Sequence, residues 1–187
     1  MATLEHEEQL QKIFTNVNDW LKFAEAKNFG LLSLNAAIVI GFNQTTFQDG
    51  SIIQKAGFYV FAPFELFSFL AALISLFPIV SKIEKGAYAK SWINKFCNWI
   101  DKEEKFENIH FYGFLKDIEE PEFETKFLNK INSTDTFTQF EKELATQILY
   151  NSRITWLKYQ LFKIGAFFFL AGAILFVIAL PILKLLS

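Results

Sequence analysis

Near its C-terminal end the chain reads Arg153-Ile-Thr-Trp156-Leu-Lys158. Two cations with an indole between them can hold a phosphate and stack a base: the guanidinium pairs with phosphate oxygens, and the ring face takes a flat heterocycle. The plainer role for the same residues is to mark the flank of a membrane entry. Upstream, Glu143, Gln147 and Asn151 recur at four-residue steps and share one helical face. Such a face is either solvated or lines a pocket between helical arms. A second charged pair, Glu25 and Lys27, stands directly before an apolar run. It either takes part in ligand binding through a nearby cation or is an ordinary solvated turn. Glu65 stands alone within FAPFELFSF. An acid in an apolar stretch lines a pore or pairs with another polar side chain, unless it snorkels to an interface.

Other chemistries find no footing. There is no phosphate-cradling glycine loop and no nucleophile elbow. The single cysteine, Cys97, excludes an intramolecular disulfide and a thiolate metal cluster, and His6 and His110 lie too far apart in sequence for a zinc spacing. Cys97 sits among Trp92, Phe96 and Trp99, which predicts a place in a core. A net charge of −2 lacks the basic excess that a nucleic-acid polymer would require. The expectation is a protein that is not an enzyme and carries no metal or cofactor.

The elements that must position these residues are set by three apolar segments. Residues 29–48 carry no charge, although only Phe29–Phe42 is strongly apolar. A span takes roughly 20 apolar residues, so this segment must borrow length from its neighbours. Residues 56–80 contain one acid, Glu65, and two prolines, Pro63 and Pro78, the second marking the inner end of the span. Residues 164–183 contain no charge and form the clearest span. A signal peptide is excluded for the first segment, because nearly thirty mixed, acidic residues precede it without a basic n-region. Lysine and arginine collect in residues 81–163, with Lys82, Lys85, Lys158 and Lys163 closest to the apolar segments. The charge rule then places the N-terminus and residues 81–163 in the cytoplasm and the C-terminus outside.

Within the cytoplasmic part, Leu10, Ile13, Phe14, Val17, Leu21 and Ala24 recur at helical steps, so residues 1–28 form an N-terminal helix. Residues 83–106 are helical with Trp92, Phe96, Trp99 and Ile100 on one face. Residues 108–118 form a short strand or loop. Pro121 opens a short helix to Ile131, and Thr134 or Asp135 caps the next one. That helix meets no proline or glycine before Gly165 and runs on into the last span. At ~1.5 Å per residue its cytosolic arm reaches roughly 40 Å. The fold class is an all-α membrane protein: three transmembrane helices, with a helical cytosolic domain made of extended arms and the segment between spans two and three.

Two stretches carry a resemblance. Asn18-Asp-Trp-Leu-x-x-Ala-Glu-Ala-Lys27 followed by Gly30-Leu-Leu-x-Leu-Asn35 resembles the start of the Pycsar effector transmembrane family. Glu143-x-x-x-Gln147-Ile148-x-x-Asn151-Ser152-x-Ile154-x-x-x-Lys158-Tyr159, leading into the last span, resembles its second half. The order of elements matches over nearly the whole chain. The family usually shows an aspartate in place of Glu25 and an alanine-glycine pair in place of Asn28 and Phe29. The resemblance implies a membrane effector of bacterial anti-phage defence. A partner pyrimidine cyclase would supply cyclic CMP or cyclic UMP as the signal, and the effector would impair the inner membrane so that the infected cell stops growing. A homo-oligomer is expected, because three spans make a poor pore alone, and Gly165, Ala171, Gly172 and Ala173 allow close helix approach. The competing readings are an effector answering a cyclic oligonucleotide, a non-signalling membrane scaffold that docks a partner, and a soluble helical protein with an apolar core.

Overall fold

The computed structural model describes residues 2–42, 44, 52–77, 87–100 and 107–186. Its helices are α1 (Ala2–Phe42), α2 (Ile52–Leu76), α3 (Ala87–Ile100), α4 (Tyr112–Leu115), α5 (Glu120–Lys130) and α6 (Gln139–Leu186). No strand occurs among the described residues. The fold is all-helical, and three of the helices are long and apolar enough to cross a membrane. The chain divides into two units: residues 1–24 with 81–159, and residues 25–80 with 160–187.

The first unit is built like a water-soluble domain. From α1, Leu10, Ile13 and Val17 are fully buried, repeating at three and four residues to form one stripe. They meet Leu115, Phe123 and Phe127, with Leu144, Ile148 and Leu149 from α6. Each such side chain contributes about 1.5–3 kcal/mol by leaving water. Polar ties join parts of the unit distant in sequence: Asn16 Nδ2 donates to the His110 carbonyl, and Asn151 Nδ2 to Asn18 Oδ1 at 2.8 Å.

Local rules explain the short elements. Pro121 lies in the first turn of α5, where its missing N–H costs nothing. At the other end Asn132 takes φ 53°, Ser133 N donates to the Leu128 carbonyl and Asn132 N to the Asn129 carbonyl. This double bond pattern is a left-handed helix stop, which asparagine tolerates. The start of α6 corrects the expected cap. Thr138, not Thr134 or Asp135, precedes the helix: its Oγ1 accepts from Glu141 N at 3.3 Å, while Glu141 Oε2 accepts from Thr138 N at 2.6 Å. This reciprocal box satisfies two N–H groups that the helix cannot.

Residues 108–118 are not a strand. Asn108 Oδ1 accepts from His110 N, and the Asn108 carbonyl from Phe111 N, so the segment closes its hydrogen bonds locally and turns into α4. On α3, Cys97 is buried as expected and Ile93 is buried one turn before it, but Trp92 is 57% and Trp99 71% exposed. The aromatic stripe therefore faces away from the core: Trp92 stacks on Phe96 at 5.5 Å, and i, i+4 stacking on one helix needs no tertiary partner. Pro78 and residues 83–86 and 101–106 lie outside the described residues.

The second unit reverses the usual polarity. Its interior holds Asn28, Asn35, Ser68 and Ser75 at 0% exposure and Glu65 at 4%. Its exterior carries Phe29, Ile40, Leu66, Phe67, Ile174, Val177 and Leu185. Water would not tolerate so large an apolar exterior, whereas hydrocarbon favours it. Close packing replaces the hydrophobic effect inside. At Gly172 a Cβ would come within 2.7 Å of Phe64 Cβ, and at Gly165 within 3.3 Å of the Ser68 carbonyl oxygen. Small residues of α6 thus let α2 approach closely, as helices in lipid require.

Candidate functional site

The first unit contains a cavity of about 30 Å³ lined by Asn94, Lys116, Asp117, Arg153 and Trp156. Three elements meet there: Asn94 comes from α3, Lys116 and Asp117 follow α4, and Arg153 and Trp156 sit three residues apart on one face of α6. Arg153 is held by its surroundings. Its Nε donates to the Lys116 carbonyl at 3.3 Å, and one terminal nitrogen donates to the Ile118 carbonyl and to Glu119 Oε1, both at 3.1 Å. Trp156 is 5% exposed, and Lys116 Nζ lies 4.4 Å from the centre of its ring. A cation over an indole face is worth about 0.5–2 kcal/mol, more when dry. Buried Asn94 Oδ1 finds no donor among the described residues. The cavity is large enough for a water and far too small for a nucleotide.

Of the residues expected to act together, Arg153 and Trp156 do meet. Lys158 is 6% exposed and does not line this cavity. Glu25 and Lys27 belong to the other unit. Glu25 is exposed there, and Lys27 Nζ lies 5.4 Å from the Phe162 ring. The polar face expected upstream is mostly solvated: Glu143 accepts from Gln139 Nε2 and Gln147 is exposed, while Asn151 ties α6 to Asn18. Sequence reasoning missed Asn94, Lys116 and Asp117. No periodic signal marks them, since the turn that folds Lys116 onto Trp156 has no repeat and Asn94 comes from a separate helix.

The first unit also holds a set of rings from three elements. Tyr112 and Tyr159 stack at 5.2 Å with planes 9° apart, and Trp20 meets both, at 5.7 and 6.3 Å. Phe111 closes on Trp20 at 6.4 Å. Aromatic pairs in these geometries add about 0.5–1.5 kcal/mol each beyond area burial.

In the second unit, α2 places Glu65 midway between Gln54 and Leu76. Its side chain is turned into the interior of the unit, at 4% exposure. One turn on, Ser68 Oγ and the Asn35 amide of α1 exchange hydrogen bonds at 3.0 and 3.3 Å. Neither oxygen of Glu65 has a hydrogen-bond partner among the described residues.

A family model described as the Pycsar effector protein domain matches residues 9–183. No curated protein and no solved structure matches the chain. The matched stretch takes in α1 from its second turn through nearly all of α6, so it includes the core of the first unit, the cavity, and all three apolar helices. An inverted second unit and a family match of this extent converge: the chain belongs to the Pycsar effector family, as a multi-pass membrane protein whose domain is that of an anti-phage membrane effector.

Proposed function

We propose that the first unit binds a cyclic pyrimidine nucleotide, cyclic CMP or cyclic UMP from a partner cyclase. In response, the second unit, as a homo-oligomer, raises the permeability of the bacterial inner membrane and halts the infected cell. The observation that carries this reading is the meeting of Arg153, Lys116 and Trp156 on one cavity in a chain of this family. Arg153 and Lys116 supply charge for a cyclic phosphate, and Trp156 supplies a face for the base. Stacking of this kind is worth about 1–3 kcal/mol per base. The cavity must widen first. Lys116 lifts off the Trp156 ring, and its ammonium follows the incoming phosphate. The first unit and the N-terminus lie in the cytoplasm, where such a signal is made, and the C-terminus lies outside. Lys82, Lys85, Lys158 and Lys163 then sit on the positive side, and a chain that leaves the first unit, returns and leaves again makes three crossings.

The test is titration of the full chain in nanodiscs with cyclic CMP, cyclic UMP, cyclic AMP and a cyclic dinucleotide, paired with dye release from liposomes. Binding and release by one cyclic pyrimidine only is expected, with Trp156→Ala weakening binding by roughly tenfold or more. Binding of the cyclic dinucleotide alone replaces the signal. A partner-docking scaffold is the second reading, favoured by the exposed Trp92 and Trp99 of α3. It predicts no binding and no release with any nucleotide.

A further inference from the structure

The second unit contains one acid that the proposed gating does not use. Glu65 sits at the middle of α2, is 4% exposed, and both of its oxygens lack a hydrogen-bond partner among the described residues. A bare carboxylate in a low-dielectric bundle costs several kcal/mol unless a counter-charge meets it. The described helices supply none nearby. α1 has no charged residue between Lys27 and its end at Phe42, and α6 has none between Lys163 and Lys184. On α2 itself the nearest charge is Lys55, about 15 Å away along the axis. Asn35 and Ser68 bring two more oxygens to the same interior face, one turn on, but they are turned to each other. With no counter-charge on these helices, a neutralising partner drawn from solution has to be small and positive.

We propose that Glu65, with the Asn35–Ser68 pair one turn away, is a binding site for a monovalent cation inside the spans, and that it makes the membrane permeability of this protein cation-selective. The occupant is either a proton or a dehydrated alkali ion. The selectivity half rests on the permeability proposed above, whereas the site itself does not. When the bundle opens and water enters, the released carboxylate attracts cations and repels anions, as acidic rings do in cation pores. A homo-oligomer would gather several copies of Glu65 around one axis.

Two measurements on the full chain in liposomes decide it. Dicyclohexylcarbodiimide adds to protonated carboxyl groups in apolar surroundings, and mass spectrometry locates the adduct. Labelling of Glu65 slowed by sodium or potassium supports the site with an alkali ion as occupant. Labelling slowed only by raising the pH supports it with a proton. Labelling that responds to neither, or no labelling at Glu65, overturns the site. In the second measurement, reversal potentials in potassium chloride gradients give the cation-to-anion ratio. A preference of roughly tenfold or more is expected for the wild type. It falls towards unity in Glu65→Gln and is kept in Glu65→Asp, with circular dichroism confirming that both variants remain helical. A Glu65→Gln protein as selective as the wild type overturns the selectivity role. If no nucleotide evokes any flux, the functional reading fails and the labelling alone decides the site.

Discussion

His6 and Glu141 show how far a single residue can tie the first unit together. Glu141 is fully buried. One oxygen accepts from Thr138 N, and the other lies 3.4 Å from His6 Nδ1, so the α6 cap and the start of α1 share one carboxylate. Glu141→Ala removes the cap partner and leaves a buried imidazole facing a void. A loss of about 1–3 kcal/mol is expected, read as a lower denaturant midpoint of the detergent-solubilised chain. His110 gives the pH dependence. Burial first, and the Lys130 ammonium second, hold its imidazole below the ordinary value of that group. The folded state therefore binds the proton less well than the unfolded chain does. Stability is full above the unfolded value of ~6.5 and declines as pH falls below it towards the depressed folded value. Melting from about pH 7.5 down to about pH 5 should show that decline, and His110→Gln should remove part of the slope.

Among the elements, α6 makes the clearest demand on packing. The approach at Gly172 is to Phe64 Cβ, an atom fixed to its backbone, whereas at Gly165 the tightest contact is the far end of the Leu31 side chain. Gly172→Ala should therefore cost more than Gly165→Ala, by about 1–3 kcal/mol against less than about 1. Thermal unfolding in nanodiscs would rank them. The Asn35–Ser68 bond joins α1 to α2, and Ser68→Ala should cost about 0.6 kcal/mol on the same assay, the average for such bonds in lipid. These long helices were legible from residue order: α6 meets no breaker before Gly165, and Leu10, Ile13 and Val17 mark the inner face of α1. The cap of α6 was also written there, as Thr138-x-x-Glu141, but Thr134 and Asp135 offered rival caps one turn earlier. The α4 turn was not legible, because four residues carry no period. The cavity was half legible. Arg153 and Trp156 share a face of one helix, whereas Lys116 reaches them from 37 residues earlier through a turn that only tertiary contacts define.

For the whole molecule, the two units answer to two solvents. Soluble recovery without detergent would contradict the outward Phe29, Ile40, Phe67 and Leu185. The protein should stay in the pellet after an alkaline carbonate wash and leave it only with detergent. Residue order has a further consequence for the first unit. Asn18 bonds to Asn151 across 133 positions, and its neighbours Leu10, Ile13 and Val17 are buried by residues as late as Leu149. At ~5–20 residues per second, a ribosome needs roughly 7 to 27 s to make that partner. For most of this interval the stripe of α1 has been translated without its cover, while α2 is made and passes to the membrane; Leu115, Phe123 and Phe127 arrive late and the α6 residues last. The nascent chain is thus a client for holding factors at α1 until α6 has been made. A ribosome that stalls before α6 leaves a membrane-bound fragment whose first unit lacks Leu144, Ile148 and Leu149, so truncated products could not close that core.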